Sequence, residues 1–455
     1  MRARFIIGWV VVLSLVAAIG YAQQPMVQTP AAPAAAPAAQ LPPARTLSLA
    51  EALTIARENS PDYRSVLNNR WSASSANTNS LFQLITPTAS LSGSRSHNGA
   101  SSRSPGAGIP PQQYPAVTSY SWGLNLNYNF SGSTITNRGV TEANLRLVDA
   151  DIAGAQTQLE SNVRLVYLNV LQAQAQAQLA QRSLERTTES LNLARAKYSV
   201  GQGTLVDVRR AEVDKGRGEV AHLKADQAVQ NAILVLFVNL GVPAPEPLNL
   251  QLSDSFPVTE PAWTQQQLVD LSLERNPTLL AARAASESST WGLRAARSQF
   301  LPSLFFQGGL GGFRTEIAGA STGGKNPFSF TLGASLPIYD GFSRSNGIQL
   351  AKAQQDDQLQ AVRRTELLLR SNVAAAFQGL VLTYRTIDIE RQNKVAAAEA
   401  LDLATQRYRV GSGTYIELLT ARDAADQADA AFVNSVYDYH KAIATLENAV
   451  GRPLR

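Results

Sequence analysis

The chain contains no cysteine and only three histidines among its 455 residues. Without cysteine there are no disulfide bonds, so a small exported domain held together by disulfides is excluded, and we expect no lipid attached at a cysteine. His97, His222 and His440 are far apart in the sequence and favour surface or helix-face positions over a metal centre. We therefore expect no metal site and no cofactor.

Charged residues are scarce, at 16% of the chain, and the formal net charge is only +5, with no block of Lys or Arg. Nucleic acid is therefore not an expected partner. The sequence also lacks a nucleophile elbow, an HExxH zinc motif and a phosphate-binding loop. Residues 308–312 are rich in Gly, but no Lys-Ser or Lys-Thr pair follows them. These absences predict that the protein is not an enzyme.

Long hydrophobic runs are absent except at the N-terminus. Arg2 and Arg4 precede an apolar run at 5–19, and residues 20–22 have the small residues of a cleavage site. We interpret residues 1–22 as a secretory signal peptide. An uncleaved anchor is the weaker alternative, because the run falls short of the ~20 residues of a spanning helix. Residues 23–46 are rich in Ala and Pro and are interpreted as a linker.

A motif near residue 200 recurs near residue 410. The stretch Tyr198-Ser-Val-Gly-Gln-Gly-Thr-Leu-Val-Asp-Val208 corresponds to Tyr408-Arg-Val-Gly-Ser-Gly-Thr-Tyr-Ile-Glu-Leu418, 210 residues later. Leu240-Gly241-Val242-Pro243 corresponds to Val450-Gly451-Arg452-Pro453 at the same offset. This self-similarity predicts an internal two-fold repeat. We assign residues 47–242 to the first copy, 243–263 to a linker and 264–455 to the second copy.

Each copy is predicted to contain helices and then two strands. Residues 120–130 and 328–338 alternate apolar and polar side chains with a period of two, which indicates amphipathic strands. Weaker partner strands are predicted before them, at about 88–96 and 303–311. The expected loops between partners are residues 97–117 and 312–326. A soluble β-sandwich also alternates, but it needs about seven strands, and only four are indicated here.

Strands of this length suit the wall of an outer-membrane barrel. About ten residues at ~3.3 Å rise, tilted by ~40°, cover an apolar band of about 25 Å. Aromatic residues near the strand ends are typical of a girdle at the membrane interfaces. The predicted girdle residues are Tyr120, Trp122, Tyr128, Phe130, Phe328 and Phe330.

After each strand pair, the sequence predicts a helical hairpin of unusual length, at residues 133–241 and 344–450. Residues 133–199 contain no Pro, and apolar or small residues recur at the 3–4 spacing typical of coiled coils. A helix of ~65 residues is ~100 Å long. Each turn repeats a Gly suited to a helix C-terminus, a Thr suited to an N-cap and an acid three residues later. These residues are Gly201, Thr204 and Asp207, then Gly411, Thr414 and Glu417.

Four strands cannot close a membrane barrel, since the smallest bacterial barrels have about eight. An open sheet edge in lipid leaves backbone groups unpaired at a cost of several kcal/mol each. The chain is therefore expected to oligomerise, and its helices, which are too long for a bilayer, are expected to continue the barrel as a water-exposed tube.

These features together resemble the TolC-type family of outer-membrane efflux proteins, the exit ducts of tripartite export systems. The resemblance covers Leu47 to Arg455 and is most specific at the repeated Tyr-x-Val-Gly-x-Gly-Thr-x-x-(Asp/Glu) motif. It implies an α+β membrane protein with a homotrimeric twelve-stranded transmembrane β-barrel, four strands per chain, continued by a long periplasmic α-helical barrel. It also implies localisation in the outer membrane of a Gram-negative cell, in contact with outer-membrane lipid.

The same resemblance implies a passive channel for drugs and other small toxic compounds, driven by an inner-membrane transporter through a periplasmic adaptor protein. The gate at the periplasmic end would be lined by Asp207 and Glu417, with Thr420 one turn beyond. The helix tips that would dock the adaptor comprise Val200, Gly201, Gly203, Thr204, Val410, Gly411, Gly413 and Thr414.

Two alternatives stay open at this point. Within the family, the duct would be dedicated to type I secretion of proteins or toxins. Outside the family, a periplasmic adaptor protein also has coiled-coil hairpins, but it would need a single hairpin, a sandwich-like lipoyl module and an inner-membrane or lipid anchor. The two hairpins and the amphipathic strands favour the duct.

Overall fold

A computed structural model describes residues 46–103, 110–246, 248, 250–252 and 256–454. The expected signal peptide and nearly all of the first linker therefore lie outside the described residues. Part of the expected linker at 243–263 also lies outside them.

Helices and long strands occur in the same order in both halves of the chain, and the first half has two additional short strands. The first half contains β1 (Thr46–Leu47), α1 (Leu49–Asn59), α2 (Pro61–Ile85), β2 (Thr88–Asn98), β3 (Ser101–Arg103), β4 (Gln112–Tyr114), β5 (Val117–Phe130), α3 (Gly132–Ser199) and α4 (Leu205–Leu240). The second contains β6 (Gln251–Leu252), α5 (Gln265–Arg275), α6 (Pro277–Ser298), β7 (Ser303–Ile317), β8 (Ala320–Ser335), α7 (Ser343–Val410) and α8 (Tyr415–Val450).

The short helices begin and end where local chemistry requires. Ser48 and Glu51 form a capping box at the start of α1, which satisfies backbone N–H groups that a helix leaves free. Pro61 opens α2 behind the Ser60 cap, because Pro tolerates the first helical position but disfavours helix in the residue before it. The second half repeats this arrangement, with Asn276 capping α6 at Pro277.

The four long strands form one antiparallel sheet in the order β2–β5–β7–β8. The central strands β5 and β7 pair along fourteen residues from Val117↔Ile317 to Phe130↔Leu304, which joins the two halves of the chain. A bulge between Gly309 and Gly311 shifts the register of β7 against β8. Both edge strands lack a further partner in the described part of the chain.

The structure corrects two predicted boundaries. The sequence predicts a loop at 312–326, whereas β7 and β8 extend through this region to a tight turn at Ala318 and Gly319. Both turn residues have positive φ, at 50° and 86°, the backbone that suits a two-residue hairpin connection. The strand predicted at 328–338 is wrong in its last three residues, since β8 ends at Ser335 and Pro337 has no N–H to donate.

The other predicted loop, 97–117, contains a small ladder. Strands β3 and β4 pair with each other through Ser101↔Tyr114 and Arg103↔Gln112, while residues 104–109 lie outside the described chain. The parallel pair β1–β6 brings Thr46 and Leu47 beside the connection between the two halves.

The long helices form two antiparallel hairpins, α3 with α4 and α7 with α8, which contact each other through α3 and α8. Each long helix has 68 residues and each return helix has 36. Within the described residues, no helix combines the length and apolarity needed to cross a bilayer.

Two hydrophobic cores lie where the short helices pack against the hairpins. The first surrounds Tyr167, Leu236 and Phe237, and Tyr167 Oη donates to the carbonyl of Leu47 at 2.9 Å. The second surrounds Tyr439 and Leu279. Burial of these large apolar side chains anchors α1 and α5 to the long helices, at about 25 cal/mol per Å² of apolar surface.

Candidate functional site

The two hairpin turns have the same capped geometry. Gly201 and Gly411 adopt positive φ of 76° and 86°, the left-handed conformation that ends a helix with least strain in glycine. Thr204 and Thr414 then cap the return helices, and their side chains accept from the N–H groups of Asp207 and Glu417 at 3.2 Å. The backbone of each turn is therefore determined by residues within a few positions of it.

The predicted gate acids complete these capping boxes. Asp207 Oδ2 accepts from the backbone N–H of Thr204 at 3.4 Å, and Glu417 Oε2 accepts from the backbone N–H of Thr414 at 3.4 Å. Thr420 is exposed and its hydroxyl donates back to the carbonyl of Ile416 at 3.0 Å. The acids thus stabilise the helix starts, and their charges lie at the exposed tip.

The remaining predicted tip residues lie around the same turns. Val200 and Val410 are exposed, at 68% and 77% of their surface, although both are apolar. A side chain at Gly203 or Gly413 would approach Lys197 or Arg407 to 3.1 Å, so small residues are needed for the tight turn. The tips present apolar side chains and glycine backbone to their surroundings.

A buried polar cluster, which sequence reasoning missed, joins the two hairpins near their tips. Tyr415 Oη on α8 donates to Asp214 Oδ2 on α4 at 3.0 Å. Arg422 Nη2 lies 3.9 Å from the same oxygen. Burial, and then the hydrogen bond to Asp214, raise the pKa of Tyr415 above its usual range. We name Asp214, Tyr415 and Arg422 the tip cluster.

A second contact joins the helix ends beside the tip cluster. The buried Lys197 ammonium donates to the carbonyl of Tyr408 and lies 4.6 Å from the centre of the Tyr408 ring. A cation at a helix C-terminus stabilises the free carbonyls and interacts with the aromatic face. Burial, and then the charge of the predicted gate acid Asp207, raise the pKa of Tyr408.

The two copies of the motif are not equivalent in the fold. Tyr408 is buried while its counterpart Tyr198 is 48% exposed, and Tyr415 is buried while its counterpart Leu205 is 49% exposed. The motif alone could not reveal this difference. The signals in the sequence are the differences at matching positions, Tyr415 against Leu205 and Arg422 against Glu212.

The contact between α3 and α8 is polar along much of its length. Arg164 pairs with Glu447, and Ser183 and Arg186 bind Asp426 further toward the tips. Between them lie glutamine and asparagine contacts of 2.7 Å, from Gln172 and Gln176 to Asn434. We name this contact the polar seam. These contacts pair specific polar groups, although Arg164 Nε and Arg186 Nε are buried without a hydrogen-bond partner. The seam therefore specifies register more than it adds hydrophobic stability.

The predicted girdle residues lie on one face of the sheet. Trp122, Phe328 and Phe330 are exposed, at 48%, 63% and 68%, whereas Tyr120, Tyr128 and Phe130 are half-buried. Tyr128 Oη donates to the carbonyl of Leu84 at the end of α2, at 2.5 Å. Tyr128 therefore links the sheet to α2, and it lies on the same face of the sheet as the other aromatic residues.

The opposite face of the sheet is largely polar, apart from two phenylalanines and the pair Val117↔Ile317 at its end. Asn125, Asn127 and Asn129 are exposed on it. Phe305 and Phe313 also lie on this face, because they are opposite Asn129 and Ser121 of β5. Each ring covers a glycine on β8, since a side chain at Gly333 or Gly324 would meet it at 2.3 or 3.1 Å.

No metal site is evident in the part of the chain that the structure describes: no three His, Asp or Glu side chains come together there in a way that could hold a metal ion.

The chain matches known proteins along most of its length. A family model described as outer membrane efflux protein matches residues 52–242 and 268–452. The outer membrane efflux protein BepC of Brucella suis is 26% identical over 63% of this chain, and the match spans only 61% of that relative. The outer membrane protein TolC of Vibrio cholerae is 24% identical over 89% of this chain and 90% of its own length.

Solved structures share the fold. The open-state outer membrane channel MtrE of Neisseria gonorrhoeae superposes with a TM-score of 0.71 at 24% identity, covering 90% of this chain and 89% of that one. The arrangement of a four-stranded sheet with long helical hairpins is therefore that of a TolC-like channel.

Proposed function

Because this chain belongs to the outer membrane efflux protein family, a family of outer-membrane channels rather than enzymes, we propose that it forms the exit duct of a tripartite efflux system as a homotrimer. Three copies would supply twelve strands for a closed barrel and continue it as a tube of helical hairpins. The observation that carries this proposal is a single amphipathic sheet with two unpaired edges, attached to helices of 68 residues.

The unpaired edges support a ring of copies. Every residue of β2 and nearly every residue of β8 is exposed. Both strands carry backbone donors and acceptors along their outer edges, except that Pro327 of β8 has no N–H. In lipid, each unpaired group costs several kcal/mol. Pairing β2 of one copy with β8 of the next satisfies both edges through a head-to-tail contact, which closes into a ring.

The helices carry a matching signal. Apolar residues are exposed on α4 at one lateral edge of the chain and on α7 at the other. Those on α4 include Val213, Val220, Leu223 and Val238, and those on α7 include Leu359, Leu367, Leu382, Ile389 and Leu403. Surfaces of this kind are typical of interfaces. The same rotation between copies that pairs β2 with β8 would bury these apolar surfaces of α4 and α7.

The tips would serve as the gate and the docking end. On this proposal Asp207 and Glu417 line the periplasmic opening, with Thr420 one turn above. The exposed Val200 and Val410 and the glycine backbone beside them would contact a periplasmic adaptor, which links the duct to an inner-membrane transporter. We propose small toxic molecules as the cargo class, because efflux is the process that the family description names.

The test is the mass of the unboiled particle purified in detergent from the outer-membrane fraction. We expect a heat-sensitive species of about three times the mass of one chain. A species of one chain mass that extracts without detergent would overturn the proposal, because the sheet edges would then be unpaired in water. Boiling the same sample gives the single-chain reference.

A further inference from the structure

Three cationic side chains interrupt the apolar face of the sheet near its turns. They are Arg95 on β2, Arg314 on β7 and Lys325 on β8, and all three are exposed. The register places Arg95 and Arg314 directly opposite Tyr120, one on each side. Directly opposed residues of antiparallel strands share a face. Both arginines therefore lie on the face of the girdle residues.

Lys325 lies on the same face. It is opposite Gly312 of β7, and Gly312 is opposite Trp122. A side chain at Gly312 would meet the Trp122 indole nitrogen at 2.7 Å, so Trp122 points to this face. Strands are ~4.8 Å apart, and the row from Arg95 to Lys325 therefore spans about 15 Å. We name Arg95, Arg314 and Lys325 the cation row.

The positive charge of the cation row is only partly compensated. Arg314 pairs with Glu316 at 3.0 Å, and the Arg95 guanidinium lies 5.6 Å from the centre of the Tyr120 ring. Lys325 has no hydrogen-bond or ion-pair partner among the residues that the structure describes. Two of the three charges per chain are therefore free to meet an anion. A surface depression lined in part by Thr118, Arg314 and Ser321 adjoins the row.

The position of the row along the strands decides what it would meet. The helices leave the sheet at the Phe130 end of β5, and the Tyr120 end is nearer the turns. The ten residues between them cover about 25 Å when tilted, the height of the apolar band of a barrel wall. The cation row therefore lies at the outer boundary of this band, where lipid headgroups begin.

We propose that the cation row binds the phosphate groups of a phosphorylated glycolipid in the outer leaflet. The inference rests on the proposed placement of the sheet in the outer membrane. A phosphate monoester carries about −1.5 to −2 charge near neutral pH, more than the single charge of a phosphodiester. The two free cations, Arg95 and Lys325, lie on the two edge strands, and in the proposed ring these strands adjoin between neighbouring copies, so one phosphate group can meet both charges. Tyr120 and Trp122 pack beside the acyl chains below the headgroup, as amphipathic aromatic residues do at membrane interfaces.

The test reconstitutes the full chain into phosphatidylcholine vesicles that contain either bisphosphorylated lipid A or its dephosphorylated form. Retained glycolipid is measured by mass spectrometry after re-extraction in mild detergent. We expect the wild type to retain the bisphosphorylated lipid selectively. The triple variant R95Q/R314Q/K325Q should retain at least ~10-fold less of it, since each surface cation contributes about fivefold.

Two control variants separate the possible causes. The variant R95K/R314K keeps the charges and should retain the lipid. The variant K224Q/R363Q/R364Q removes three exposed cations from the helices and should behave as the wild type. Equal retention of both lipid A forms by a fully inserted wild type would overturn the inference alone. Failure of the wild type to insert into any vesicle would instead overturn the proposed function.

Discussion

At the residue scale, the acids of the helix tips combine a structural role with an electrostatic one. Glu417 closes a capping box with Thr414, and its charge stands at the exposed end of the hairpin. Glutamine also closes capping boxes. Replacing Glu417 with Gln therefore removes the charge while it keeps the local fold, which makes this position well suited to a test of the gate.

We predict that the substitution Glu417→Gln lowers the cation preference of the channel in planar bilayers. Three carboxylates per trimer near the opening favour cations, because like charges concentrate counter-ions in a narrow passage. The measurement is the reversal potential in a salt gradient. The control is Thr420→Ser, which keeps a hydroxyl one turn away and should leave the potential unchanged. An unaltered reversal potential for Glu417→Gln trimers would remove Glu417 from the proposed gate.

At the element scale, contacts between the hairpins divide into a polar seam and a tip cluster. The α3–α4 and α7–α8 pairs hold together within each hairpin, whereas α3 and α8 meet through charged and amide side chains such as Arg186, Asp426 and Asn434. Asp214, Tyr415 and Arg422 add a buried polar contact, with each residue at most 7% exposed. The cluster therefore has a large influence on how firmly the tips stay together.

We predict that Tyr415→Phe loosens the tips without unfolding the sheet. Asp214 would lose a hydrogen bond in a buried site, at a cost of about 1–3 kcal/mol. Amide hydrogen exchange should accelerate near the N-termini of α4 and α8 and stay unchanged in β5 and β7. The matched control is Tyr198→Phe, at an exposed tyrosine. Equal protection of the tips in the wild type and Tyr415→Phe would contradict this role.

The raised pKa of Tyr415 gives the contact a pH dependence. An unfolded tyrosine titrates near pH 10, and in the folded state the buried phenol keeps its proton to higher pH. Its contribution to stability is therefore complete below pH ~10 and declines as the pH rises above that value. In the wild type, the protection of the tip amides from hydrogen exchange should fall as the pH rises above ~10. In Tyr415→Phe, the part of this fall that comes from the titration of Tyr415 should be absent.

At the scale of the whole molecule, the sheet lies at one end of the long helical hairpins and the hairpin turns lie at the other end. The β7–β8 turn at Ala318 and Gly319 lies beyond the cation row, and the turns at Gly201 and Gly411 end the hairpins. In the proposed duct the first end faces the cell exterior and the second faces the periplasm. The absence of native cysteine makes this topology directly testable.

We predict that a cysteine at Ser321, beside the outer turn, reacts with a membrane-impermeant maleimide on intact cells. A cysteine at Ser412, in the tip, should react only after the outer membrane is permeabilised. Both positions are exposed, so accessibility of the side chain does not distinguish them, and the unsubstituted chain provides a background free of thiols. Labelling of Ser412→Cys on intact cells would reverse the proposed orientation.

The sequence by itself determined the type and order of the long helices and the four long strands, but not the short strands β1, β3, β4 and β6. Period-two alternation marked the strands, the Pro-free 3–4 spacing marked the long helices, and the Gly-x-Gly-Thr turns marked the hairpin ends. These signals are local, because backbone geometry and capping depend on residues within a few positions. The predicted loop at 312–326 failed since its glycines suit strand as well as turn when a neighbouring strand pairs with them.

Only the tertiary structure decided which side chains meet. Asp214 and Tyr415 are 201 residues apart, and Tyr408 is buried where Tyr198 is exposed. Likewise, Arg95, Arg314 and Lys325 form one row only because four strands pair in a particular register. Burial and charge pairing depend on neighbours that are remote in sequence, so a repeated motif fixes the backbone of both copies but leaves the environment of each side chain to the packing around it.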